Sequence, residues 1–206
     1  DEWMECELCH KKELSKTRCQ NGHYVCNDCH TKGLDTILSL CIDETSRNPI
    51  EIVRKMMDAP FCHMHGPEHH VLVGSALLAA YKNAGGELDL DAALEEMRNR
   101  GAQVPGGICG LWGTCGAAVS TGIFVSLITG ASPLSGKEWG LCNEMTSRSL
   151  GAIAKTGGPR CCKRDSYLSI IEAVRFTEEK LGFCGGEIRD MDGAAQKDSM
   201  RIVRPE

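Results

Sequence analysis

Cys115-Gly-Ala-Ala-Val-Ser-Thr-Gly-Ile-Phe-Val-Ser-Leu-Ile128 carries no charge, and neither does any position from Gly101 to Gly136. The part from Gly116 to Leu134 has the length of a membrane span. Ser120, Thr121, Gly122, Ser126, Thr129, Gly130 and Pro133 interrupt it, however. It reads as a buried central helix, from about Cys115 to Ile128, with a face of small residues. A helix of that kind needs other helices around it, and the flanking sequence supplies them.

On the C-terminal side, Ser135 with Glu138 forms a capping box that opens a helix to about Lys155. Gly157-Gly158-Pro159 stops it and starts a last long helix that reaches Leu181 and ends at Gly182. On the N-terminal side, the loop from Gln103 to Gly110 is rich in Gly and Pro, and Asp89 or Asp91 begins a charged helix ending near Gly101. Gly66-Pro67 starts a helix through Leu72, Leu77, Leu78 and Tyr81 that stops at Gly85-Gly86. Asn48-Pro49-Ile50-Glu51 is a helix start, with Asn48 as N-cap, Pro49 in the first turn and Glu51 closing a capping box. Leu34, Ile37, Leu38 and Cys41 share one face of a short helix. Alternating strand pattern is nearly absent after residue 31. The expected fold is mainly α: a helical bundle over residues 32–184, a Cys-rich head over 1–31 with a zinc-ribbon or knuckle element, and a polar tail over 185–206.

Composition narrows the function. The chain has 206 residues, 42% of them hydrophobic, enough for a core, but only 5% aromatic, so that core must use Leu, Ile, Val, Ala, Met and Gly. The net charge of −5 argues against a nucleic-acid surface, which needs a basic excess. Thirteen cysteines, an odd number, cannot all pair as disulfides. The first residues include Asp1, Glu2 and Glu5 and show no apolar run, so no signal peptide is expected. A reducing, cytoplasmic setting follows, in which such cysteines bind metal or act in catalysis.

Cys6-x2-Cys9 and Cys26-x2-Cys29 stand sixteen residues apart, the spacing of a two-knuckle zinc site. Two residues between thiolates make a tight turn that aims both sulfurs at one ion. Zn2+ is the expected metal, with rubredoxin-like iron the rival. Lys11, Lys12, Lys16 and Arg18 are placed to offset the thiolate charge. Cys19 and His23 lie between the knuckles. Either they hold a second metal with His30 or Cys41, or they are a buried thiol and a hydrogen-bonding imidazole. The run from Cys19 to Cys29 resembles the first half of a RING finger, but no second Cys-x2-Cys pair follows, which excludes ubiquitin-ligase function.

Cys62-His63-Met64-His65-Gly66-Pro67-Glu68-His69-His70 places four of the seven histidines within eight residues. His65 and His69, four apart, are a candidate metal or acid/base pair, with Glu68 as acid/base or supporting group. At a helix N-terminus the dipole disfavours imidazolium and keeps the ring in its ligand form.

Gly106-Gly-Ile-Cys109-Gly-Leu-Trp-Gly-Thr-Cys115-Gly-Ala117 lets the backbone approach a ligand closely. Cys115 falls at a helix start, where free N–H groups stabilise a thiolate. Cys142 lies in the next helix, and Cys161-Cys162 opens the last one beside Arg160, Lys163 and Arg164, cations that favour thiolates or receive an anionic substrate. Cys109, Cys115, Cys142, Cys161 and Cys162 are the candidate ligands of a [4Fe-4S] cluster, and Cys109 with Cys115 is the leading dithiol pair. Cys142, mid-helix, serves equally well as a small core residue.

Gly-Thr-Cys115-Gly-Ala-Ala, the upstream Gly-Gly loop and the cysteines at later helix starts resemble the Cys–GlyCysAla-x-x-Gly–Cys–Cys family of small helical proteins, over roughly residues 70–182. The position of that family's first Cys, near Gly74 or Ser75, holds none here. The resemblance implies redox or iron–sulfur chemistry. The knuckled head, His65-Gly-Pro-Glu-His-His70 and the Gly-Cys loop together also resemble a prokaryotic family of cysteine-rich proteins without an established activity.

The functional expectation is a metal- and thiol-dependent enzyme for sulfur transfer or redox chemistry, with Cys109, Cys115, His65, His69 and Glu68 in its site. Its partners would be a small or anionic sulfur-containing substrate and a protein redox or sulfur partner, with a homo-oligomer open. The alternative is a non-enzymatic metal chaperone, sensor or docking module.

Overall fold

Glycine, proline and short polar side chains set the helix ends. In a computed structural model, which describes residues 2–15, 22, 24–26, 28–29, 33–59 and 62–183, the chain is mainly α. Its described helices are α1 (Leu34–Ile42), α2 (Pro49–Met57), α3 (His69–Asn83), α4 (Leu90–Gly101), α5 (Ile108–Leu111), α6 (Gly116–Thr129), α7 (Lys137–Thr156) and α8 (Cys162–Leu181). The head contributes an antiparallel hairpin, β1 (Glu2–Glu5) and β2 (Lys12–Ser15), with Glu2 opposite Ser15 and Glu5 opposite Lys12. Cys184 and the polar tail lie outside the described residues.

Asn48 caps α2 by accepting the Ile50 N–H at 3.0 Å, and Pro49 is its first residue. Glu51 does not complete the expected box. It accepts the Ser46 hydroxyl, and Ser46 Oγ in turn accepts the Asn48 N–H. Asp89 caps α4 by accepting the Ala92 N–H. The box expected at Ser135 and Glu138 is absent: Ser135 Oγ accepts the Ser132 N–H within its own turn, and α7 starts after Gly136 without a side-chain cap. α6 and α8 both end on glycines in the left-handed region, Gly130 and Gly182, each with φ of 65°.

The centre differs from expectation. Twelve consecutive residues of α3, His69 to Ala80, are buried. α3 packs against α1, α2, α4, α6 and α8. α6 lies beside it and leaves Val119, Ile123, Ser126 and Leu127 partly exposed. The ten-residue run Val71–Ala80 is free of charge, so α3 can be enclosed on all sides. Among the described residues no helix is long and apolar enough to cross a membrane.

Small residues allow the close crossings. A Cβ on Gly122 of α6 would stand 2.1 Å from Thr146 Oγ1 and 3.2 Å from the Cys142 carbonyl oxygen of α7. Alanine is intrinsically the better helix former by about 1 kcal/mol. Steric pressure against a backbone oxygen reverses that sign, so Gly122→Ala is expected to destabilise the fold by roughly 1–3 kcal/mol. A lowered thermal midpoint is the expected result, and an unchanged or raised one would contradict the crossing.

Candidate metal centre and polar site

Cys6, Cys9, Cys26 and Cys29 bring their sulfurs within 4.8 Å of one another, so the four can hold a metal ion. The first pair sits on the loop that joins β1 to β2, and the Tyr24 carbonyl oxygen accepts the Glu7 N–H at 2.9 Å across the head. The turn after Cys9 closes by His10 N–H donating to Cys6 O at 2.8 Å, with His10 in the left-handed region at φ 60°. Cys9 and Cys26 sulfurs lie 3.5 Å apart. A tetrahedral ion with metal–sulfur bonds of about 2.3 Å places its sulfurs about 3.8 Å apart, so little adjustment is needed.

Burial of Cys6 raises its thiol, but N–H groups of Cys26, Cys9 and Leu8 outweigh this and bring it down to about 6. Cys29 moves the other way, to about 12, through the neighbouring thiol of Cys9 and through burial. Four thiolates on a divalent ion would carry a net charge of about −2. Lys11 and Lys12 do not offset this charge directly. Lys11 pairs with Asp28 and Glu13, and Lys12 with Glu5. Cys19, His23 and His30 lie outside the described residues. Cys41 is buried in the helical core, donating to the Met56 sulfur at 3.6 Å.

The second polar centre lies where α3, α6 and α8 begin. The chain doubles back from Cys62 to Glu68, and Glu68 Oε1 accepts the His63 N–H at 2.8 Å. A Cβ on Gly66 would stand 2.0 Å from Glu68 Oε2, so a larger residue would push the carboxylate out of this position. Glu68 and His69 are each 1% exposed. His69 Nδ1 faces Ser166 Oγ of α8 at 3.2 Å, and its Nε2 faces the His63 carbonyl oxygen at 3.0 Å. His70 donates Nδ1–H to the Val104 carbonyl at 3.0 Å and packs against Gly116, where a Cβ would meet its ring at 2.1 Å. Burial lowers both rings, so both are neutral near pH 7.

Cys115 is the N-cap of α6, and Cys162 is the first residue of α8. Burial raises the Cys115 thiol against N–H donation from Ala117 and Ala118. Burial lifts Cys162 to about 12, opposed by the Gly66 N–H and by Arg160. Cys162 feels the charge of Cys115, and Cys62 that of Cys162. Cys109, half-buried on α5, is within charge range of Cys115. Cys161 is the buried N-cap of α8. Cys142 lies elsewhere, in a groove lined by Arg100, Ser126 and Thr146.

Cys62, Glu68 and His69 gather within 4.8 Å. His65, expected to join His69, is exposed and instead senses Arg160 and Asp165. Arg164 is not available to a substrate: its guanidinium holds Asp165 at 3.0 Å and the Gly157 and Pro159 carbonyls. Sequence reading did not single out Asp165 or Ser166, and nothing in their local sequence marks them. Cys62 was legible, six residues before Glu68.

A family model described as a family of unknown function (DUF5714) matches residues 37–191. The chain belongs to this family. The match starts inside α1, after the four-cysteine head, and covers the helices that follow. No curated protein and no solved structure matches the chain.

Cys6→Ser combined with Cys26→Ser should remove one bound metal ion per chain while the helical circular-dichroism signal persists. Metal analysis of the reduced protein checks this, and undiminished metal content would contradict the head site.

Proposed function

We propose that this DUF5714 member is a metal-dependent thiol enzyme. Its head carries a structural zinc, and its body passes electrons or a sulfur atom through a dithiol formed by Cys115 and Cys162. The observation that carries this reading is the start of α6 and of α8: each opens with a cysteine whose sulfur accepts backbone N–H, from Ala117 and Ala118 at Cys115 and from Gly66 at Cys162, and Cys162 senses the charge of Cys115. Such N–H groups stabilise a thiolate as it forms. In the redox form, the two thiols reduce a substrate disulfide and close as a disulfide themselves. In the transfer form, one thiolate attacks the sulfane sulfur of an anionic donor, whose remaining anion leaves; the second thiolate then displaces hydrosulfide from the persulfide and closes a disulfide, which a thiol reductant reopens. Arg160, beside His65 and Cys162, suits an anionic donor. A [4Fe-4S] cluster at the same place would need further thiolates, from Cys109 or Cys161.

Stepwise oxidation in redox buffers, followed by alkylation and peptide mapping, tests the dithiol. A Cys115–Cys162 disulfide with one midpoint potential, lost in Cys115→Ser and in Cys162→Ser, is the expected result. If both thiols stay open to alkylation at every potential, the reading fails. Iron analysis on protein purified without oxygen separates the cluster form, which brings several irons per chain.

A docking role for the head is favoured by its exposed apolar side chains, Trp3, Leu8 and Leu14. It predicts that a chain lacking residues 1–31 keeps its thiol chemistry and loses its protein partner.

A further inference from the structure

The buried donors of the fold-back loop converge. Cys62, Glu68 and His69 each bring one ligand atom within 4.8 Å of the others. A carbonyl can only accept, so His69 donates Nε2–H to the His63 carbonyl oxygen at 3.0 Å. Cys62 Sγ lies 3.9 Å from the same nitrogen. His69 Nδ1 faces Ser166 Oγ at 3.2 Å, and that hydroxyl donates to the Cys162 carbonyl at 2.8 Å. Ser166 Oγ can therefore accept a ring proton on Nδ1, in the tautomer that frees Nε2 for an ion. A histidine that donates through one nitrogen and binds metal through the other is how proteins hold a metal-ligating imidazole.

The donors also fit an ion in geometry and charge. Zinc bonds of about 2.3 Å to sulfur and about 2.0 Å to nitrogen, at a tetrahedral angle, separate S and N by about 3.5 Å. The observed 3.9 Å is close to that. One thiolate, one carboxylate and one neutral imidazole sum to −2, which neutralises a divalent ion and suits a buried place. Backbone donation from His63 pins the Glu68 carboxylate, so the set is held before any ion arrives.

We propose that Cys62, Glu68 and His69 form a second site for a divalent first-row metal ion, zinc by donor chemistry, with its fourth position open to water or a substrate atom. Three protein ligands and one open position are the pattern of catalytic rather than structural zinc. On binding, Cys62 gives up its proton to solvent and no electron moves. The site stands whether or not Cys115 and Cys162 form a redox couple.

Cobalt titration of the full, reduced, metal-free chain tests it. Two equivalents should bind. One carries the charge-transfer absorption of four cobalt–thiolate bonds, and the other that of a single bond. Cys62→Ser, a near-isosteric change at a half-buried position, should abolish the single-thiolate absorption and leave the four-thiolate band. Replacing Cys6, Cys9, Cys26 and Cys29 together with Ser should do the converse. Saturation of the wild-type chain at one equivalent would overturn the proposal. So would a second equivalent whose spectrum is unchanged in Cys62→Ser. The wild-type count decides the matter even if a variant folds poorly.

Discussion

The structure depends on enclosing α3 from its first turn. Val71 to Ala80 can be surrounded because the run is free of charge and small enough for α6 to approach, with Gly74 N–H donating to Ser120 Oγ at 2.9 Å. The same enclosure draws Glu68, His69 and His70 inside, where each polar atom needs a partner supplied by the fold. Ser166 comes from α8, Val104 from the loop after α4, and the His63 N–H from the loop before α3. α6 and α8 must then start close to α3, and their first residues are Cys115 and Cys162. The polar centre is a consequence of burying one helix start among others.

That constraint explains what could be read in advance. Local chemistry was legible: Asn48 and Asp89 act on neighbours two or three residues away, Gly130 and Gly182 end their helices through their own backbone conformation, and the knuckle spacing defines a ligand set in sequence alone. Ser135 with Glu138 was misread because a competing Ser132–Ser135 turn used the same hydroxyl. The pairing of His65 with His69 followed from helical spacing, but the Gly66-Pro67 turn precedes the helix and breaks that spacing. His69 meets Ser166 across 97 residues of sequence, and no local pattern encodes such a partner. The longer charge-free stretch drew attention to α6, although α3 is the more completely buried helix.

The two polar centres differ in kind. The head closes four sulfurs around one point, with tight turns and little apolar mass, and an ion held there would substitute for a hydrophobic core. The body needs no ion to fold, since α3 and its neighbours supply the core. Its donors are mixed, buried and held by the helix packing itself. Keeping the thiols protonated and the imidazoles neutral lets a charge-balanced group enter without leaving unpaired charge in the interior.

Diffraction from crystals of the zinc-loaded protein, recorded on both sides of the zinc absorption edge, tests this account most directly. It predicts two anomalous peaks, one among Cys6, Cys9, Cys26 and Cys29 and one between Cys62, Glu68 and His69, the second with a ligand position not filled by protein. A peak in the head alone, with Cys62, Glu68 and His69 empty at saturating zinc, would contradict it.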